Sequence, residues 1–172
     1  IFMDDLGYGD IEPYGAQPYH TPQLNGLAAE GMRFTQFYAA QAVCSASRSA
    51  LLTGCYPTRI GINGAFSPSS NMALNPKEET IAEILKTKGY APRLVAQWHL
   101  GSTQPYLPLQ NGFDTYFGLP YSNDMWPVNY DGIPATETSQ KQYKYPPLPL
   151  IEGNKTIQII KTLEDQATLT ES

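Results

Sequence analysis

Cysteine is scarce in this chain: there are two in 172 residues, Cys44 and Cys55. Two thiols make no disulfide framework, and a helix between positions 44 and 55 would hold their Cα atoms roughly 16 Å apart, beyond disulfide reach. Long apolar runs are also missing. No segment approaches the roughly 20 residues that cross a membrane as a helix. Positive charge is in deficit, with 11 Lys and Arg against 16 Asp and Glu and a formal net charge of −5. That balance argues against non-specific nucleic-acid binding, while a locally basic pocket stays compatible with it. No internal repeat is visible. No signal peptide is visible either, but its absence carries no information, because the chain opens at Ile1-Phe2-Met3 inside an apolar run.

What remains suits a folded enzyme. Hydrophobic residues make up 41% of the chain, enough to bury a core in about one domain's length. Ile1-Phe2-Met3 reads as a buried strand ending in the glycine-bearing loop Asp4-Asp5-Leu6-Gly7. Thr21 and Pro22 predict a helix cap and first turn, with Leu24, Leu27 and Ala28 on the apolar face and a stop at Gly31. Met32 to Tyr38 alternates and predicts a short strand. A helix after Ser47 should end near Gly54, and residues 61–77 read as loop. Glu78 to Lys88 predicts a helix with Ile81, Ile84 and Leu85 on one face, ended by Gly89.

Arg93 to Ala96 predicts a strand that delivers Gln97-Trp98-His99. Residues 102–150 are rich in proline and tyrosine and read as loops around a short element at Phe113–Phe117, with a strand near 148–151. Ile157 to Leu163 suits a helix or a strand. Strands alternating with helices predict an α/β fold with a mostly parallel sheet flanked by helices. The opening at Ile1 and the stop at Thr168–Ser172, where a helix cap would begin, make both ends read as cut.

The densest chemistry lies at Cys44-Ser45-Ala46-Ser47-Arg48, a hydroxyl-rich turn running into an apolar helical pattern. Cys44 falls at a helix N-terminus, where unpaired N–H groups and the helix dipole favour an anion. In an α/β sheet, ligands sit beyond the carboxyl ends of the strands. Asp4 and Asp5, the Cys44–Arg48 turn and Gln97–His99 all fall there by this reading. Adjacent carboxylates suit a hard divalent cation. Each residue also has a plain structural reading: Asp4 and Asp5 as turn formers, Cys44 as a small buried hydrophobe, Arg48 as a surface residue and His99 as a core histidine.

As a set, these segments resemble the formylglycine-dependent sulfatases, arylsulfatase-like members of the alkaline-phosphatase-like superfamily. Met3-Asp4-Asp5-Leu6-Gly7-Tyr8-Gly9-Asp10, His20-Thr21-Pro22-Gln23-Leu24 and Gly31-Met32-Arg33-Phe34 resemble the family's opening segments. Cys44 to Gly54 resembles its signature, and Trp98-His99-Leu100-Gly101 its second active-site strand end. Asn111-Gly112-Phe113-Asp114 and Gly118 to Asp124 continue the match, which runs to about residue 153.

The resemblance implies the N-terminal part of a sulfatase catalytic domain, incomplete at both ends, with 102–150 as a loop-rich surround of the active site. It implies that Cys44 is the precursor of formylglycine, installed by a maturation enzyme, and that the hydrated aldehyde attacks the sulfur of a sulfate ester. The second hydroxyl then lets the covalent sulfate be expelled, a step closed to a thiol. It further implies a calcium ion held by Asp4, Asp5 and the residue made from Cys44, a charge-neutralising Arg48, His99 as base, and Gln97 and Ser122 on the sulfate. Export to the periplasm, cell exterior or lysosome also follows by resemblance, and Asn154-Lys155-Thr156 is a glycosylation sequon.

Four positions depart from the family pattern. Ala46 stands where proline is usual, Gln97 where a lysine contacts sulfate, Cys55 where an arginine closes the signature, and Asn25 where the first helix has an aspartate. A neutral contact is roughly half as strong as a charge-assisted one, so Gln97 should weaken sulfate binding. The remaining metal ligands, the leaving-group acid and another lysine lie downstream in the family, so the fragment alone is expected to be inactive. Two alternatives stay open: a catalytically impaired remnant, and a phosphonate or phosphodiester hydrolase of the same superfamily. Tyr8, Tyr121 and Trp126 read either as rings that stack on substrate or as core.

Overall fold

The computed structural model describes residues 1–169, and the chain divides into two compact units, Ile1–Ala39 and Ala40–Ser172. The helix cap expected over Thr168–Ser172 falls mostly outside the described residues.

In the N-terminal unit, two single-turn 3-10 segments, Tyr8–Asp10 and Glu12–Tyr14, precede helix α1, Pro22–Glu30. Proline opens α1 as expected, but the Thr21 side chain does not cap it. Its Oγ1 instead accepts the Glu12 N–H at 3.1 Å, while the Glu12 carboxylate accepts the Thr21 N–H at 2.6 Å and the Asn25 amide at 2.7 Å. An aspartate at 25 would set a second carboxylate against Glu12; the asparagine donates. Neither Ile1–Met3 nor Met32–Tyr38 forms a strand, and both segments are exposed. A strand needs a neighbouring strand to pair with along its length, and among the described residues neither run is part of the sheet.

The second unit is α/β. Helix α2, Cys44–Thr53, ends at Gly54, whose φ of 68° is left-handed and lets its N–H return to the Ala50 carbonyl. Helix α3 covers only Ile81–Lys86, because Thr80 and Glu83 form a capping box that fixes its start. Thr80 also donates to the Asn111 carbonyl at 2.9 Å. This orientation buries Ala82 and leaves Ile81 and Ile84 about half exposed, so the apolar face expected for this helix is only partly the packed one.

Strands β1 (Arg93–Val95), β2 (Thr115–Gly118), β3 (Leu148–Glu152) and β4 (Lys155–Ile160) form a sheet in the order β1-β2-β3-β4. The sheet is mixed. β1 and β2 are parallel, and the two later pairings are antiparallel. The segment at 157–163 resolves as the end of β4 followed by helix α4, Leu163–Thr168, where Thr162 and Asp165 form a second capping box.

Neighbouring residues on a strand face opposite ways, which divides the core in two. Tyr116 and Ile151 join Trp98, Leu100, Phe113, Phe66 and Ala46 in one cluster. Leu148, Leu150 and Ile160 join Tyr121, Trp126 and Val128 in the other. Tyr121 and Trp126 are therefore core residues rather than stacking rings. The Tyr121 hydroxyl donates to the Pro147 carbonyl at 2.7 Å, and burial pushes its pKa up to about 12.

Glu12 yields a pH test. The Thr21 backbone N–H, then His20 and Asn25, hold its carboxyl below the ordinary 4.5. A depressed folded-state pKa gives stabilisation that is present above 4.5 and lost as pH falls through the folded value. The Glu12 carboxyl resonance should titrate with a midpoint below 4.5, with the Thr21 amide shift following it. A midpoint at or above 4.5 would contradict this bonding.

Candidate active site

Cys44 is the first residue of α2, half-buried, and Val43 before it supplies no side-chain cap. Helix spacing puts Arg48 one turn later on the same face. Arg48 reaches away from its own helix and donates from Nη1 to the Gln97 carbonyl at 2.8 Å. That carbonyl lies just past the carboxyl end of β1, the place where ligands gather in α/β sheets.

The strand end is held firmly. Beyond β1 the parallel ladder continues, with Ala96 N–H donating to Phe117, Trp98 N–H to Leu119 and His99 N–H to Pro120, at 3.1, 2.8 and 3.1 Å. Trp98 is buried, donates its indole N–H to the Tyr106 carbonyl at 2.8 Å, and meets Phe113 edge-on at 6.1 Å. Gly118 makes the close pairing possible: a Cβ there would run into the Ala96 carbonyl oxygen. Ser122, half-buried, follows two residues after Pro120, so the same ladder brings its segment alongside His99.

His99 is 2% exposed and has a φ of 57°. Among the described residues the only other non-glycine residue with positive φ is Asp5, at 54°. Left-handed backbone at a non-glycine residue is uncommon and concentrates at functional sites. Both positions were singled out by the sequence. The His99 ring is fixed on two sides, with Nδ1 2.7 Å from the Gln97 amide nitrogen and Nε2 2.8 Å from the Phe66 carbonyl oxygen.

Two partners escape sequence reasoning. Ser45, fully buried, accepts the Phe66 N–H on its Oγ at 2.9 Å. Phe66 sits in the 61–77 loop, where nothing in the local pattern marks it as a contact. With these bonds a ring closes: Ser45 to Phe66, Phe66 to His99, His99 to Gln97, Gln97 to Arg48, and Arg48 back to Ser45 along α2. Tyr116 also borders it. Burial raises its hydroxyl pKa well above the ordinary value, and the Arg48 charge opposes that rise.

The departures take clear positions. Ala46 is fully buried in the first turn of α2 and accepts the Ser49 hydroxyl on its carbonyl at 2.9 Å. Cys55 bonds through its backbone N–H and its thiol to Thr53. No disulfide joins Cys44 and Cys55. Asp4 and Asp5 are exposed residues of the N-terminal unit. Their oxygen chemistry suits a hard cation, but two carboxylates are a minority of the roughly six to eight oxygens calcium takes. Among the described residues no three His, Cys, Asp or Glu side chains gather to hold a metal. Asp4 and Asp5 thus fit as part of a ligand set and do not complete one.

A cysteine at a helix start, an arginine one turn on and a strand-end histidine are, in an α/β unit, an arrangement that suits an anion. Comparison with known proteins defines it further. The family profile described as Sulfatase matches residues 1–169, and the chain belongs to the sulfatase family. Arylsulfatase G of Mus musculus is 42% identical over 149 residues, covering 87% of this chain and 26% of the relative. Arylsulfatase A of Bos taurus is 46% identical over 130 residues, covering 74% and 26%. A crystal structure of the PsFucS1 sulfatase from Pseudoalteromonas sp. matches with a TM-score of 0.79 at 30% identity, covering 98% of this chain and 36% of that one. The chain spans about a quarter of the length of the curated relatives it matches.

The Ser45 contact sets the prediction for this site. Ser45→Ala leaves the buried Phe66 N–H without its acceptor, which costs about 1–3 kcal/mol, against under about 0.5 kcal/mol for an exposed serine such as Ser139. Urea unfolding of the two variants checks the difference.

Proposed function

We propose that the protein containing this chain hydrolyses sulfate esters of aryl alcohols or carbohydrates, with Cys44 as the precursor of its nucleophile. The observation that carries this reading is the ring joining the first turn of α2 to the Gln97–His99 strand end, within a chain of the sulfatase family. A maturation enzyme would oxidise Cys44 to formylglycine, whose hydrate supplies an oxygen nucleophile and a second hydroxyl for releasing sulfate. Asp4 and Asp5 would give oxygen ligands to the calcium that the family resemblance implies, a cation that when bound withdraws charge from a sulfate.

The chain's own residues would supply part of the remaining site. The positive end of the α2 dipole would attract the sulfate oxygens. Arg48, anchored on the Gln97 carbonyl, holds its positive charge one turn from position 44. His99 serves as base, and Ser122, on the adjoining segment, donates to the sulfate. Export to the periplasm, exterior or lysosome accompanies this reading by resemblance, and among the described residues no helix is long and apolar enough to cross a membrane.

A second reading, a catalytically impaired relative, is favoured by one contact: the Gln97 amide, standing where a sulfate-binding lysine is usual, lies on His99. A phosphodiester or phosphonate substrate is separated by comparing aryl sulfate with aryl phosphodiester turnover.

The test is mass spectrometry of the Cys44 peptide after coexpression of the full-length protein with a maturation enzyme, together with a sulfate-release assay. The expected result is the aldehyde mass and turnover, with Arg48→Gln lowering kcat/KM by about a hundredfold or more. An unmodified thiol without turnover contradicts the proposal. Restored turnover in Gln97→Lys with Cys55→Arg would favour the impaired reading.

A further inference from the structure

His99 has two ring nitrogens and two fixed neighbours. On the Nε2 side stands the Phe66 carbonyl at 2.8 Å, which only accepts, so Nε2 carries a proton. On the Nδ1 side stands the Gln97 amide nitrogen at 2.7 Å, which only donates, so Nδ1 carries none. These two contacts together give a neutral ring in the Nε2–H tautomer. Turning the Gln97 amide to present its oxygen would require a proton on both nitrogens.

We propose that Gln97 is a positioning residue: it fixes His99 as the neutral Nε2–H tautomer and makes Nδ1 the one nitrogen able to take a proton. The role rests on reading His99 as the base of sulfate-ester hydrolysis. The Nε2 proton is committed to the Phe66 carbonyl, so base chemistry at this ring goes through Nδ1 and requires the Gln97 amide hydrogen to withdraw from it. Gln97 therefore acts on the reaction through His99. A lysine at this position would also donate to Nδ1, but it would add a charge that the amide does not.

The tautomer is readable without turnover. The chain holds two histidines, His20 and His99, and ¹⁵N-histidine labelling of the full-length protein with long-range ¹H–¹⁵N spectra identifies the His99 pair by its absence in His99→Gln. At neutral pH the wild type should show Nε2 protonated and Nδ1 bare but hydrogen-bonded. Gln97→Lys should keep that pattern. Gln97→Leu should shift Nδ1 to the position of an unbonded nitrogen while Nε2 stays protonated. Gln97→Glu, which turns the donor into an acceptor, should place protons on both nitrogens. A wild-type ring protonated on Nδ1, or spectra unchanged in both Gln97→Leu and Gln97→Glu, would overturn the proposal. The sulfate-release assay is separate: the expected spectra without turnover would count against the functional reading alone, and the wrong tautomer in an active enzyme against Gln97 alone.

Discussion

Residue 66 is bonded on both sides of its backbone to the two elements that carry the candidate chemistry. Its N–H goes to Ser45 on α2 and its C=O receives the His99 ring. Arg48 and Gln97 close the circuit from the other direction. The helix that starts at Cys44 and the strand end that delivers His99 have no covalent reason to stay in register, being separated by the long 61–77 loop and α3. Four hydrogen bonds, at least three of them with one buried partner, supply that reason. In a low-dielectric setting each is strong when made and expensive when left open, so the set favours one arrangement.

The packing around the ring explains how the strain at His99 is tolerated. A left-handed histidine costs on the order of 1–3 kcal/mol and persists only where its surroundings over-determine it. Here the backbone N–H is held by Pro120 and both ring nitrogens are held. Trp98 before it and Leu100 after it are buried in the same cluster. Backbone strain and side-chain precision are thus consequences of one anchored segment.

Much of this was legible in the sequence, and the rest was hidden for physical reasons. Caps and stops are local, so α1, α2 and β1 fall where Pro22, Gly54 and the Arg93–Ala96 run place them. The site residues were legible as types and positions, because a cysteine before an apolar helix and a histidine after a short strand are local patterns too. Partner identity was not. Ser45 to Phe66 spans 21 residues, and Arg48 to Gln97 spans 49. Nothing in a loop of Gly, Asn, Ser and Pro shows that one of its peptides will be gripped twice. Periodicity misled at Ile81 and Ile84, where the Thr80 capping box and its bond to Asn111 set the rotation of α3. It misled again at Ile1–Met3 and Met32–Tyr38, which have strand-like composition but, among the described residues, are not strands of the sheet.

The central claim is that the hydrogen-bonded ring acts as one unit, joining α2 to the Gln97–His99 strand end. A double-mutant cycle on stability tests it directly, pairing Ser45→Ala with Gln97→Leu, two residues linked in the circuit through Phe66 and His99 on one side and through Arg48 on the other. Cooperative closure predicts a coupling free energy of about 0.5 kcal/mol or more between them. Losses that simply add, within about 0.3 kcal/mol, would show four independent contacts and contradict the account.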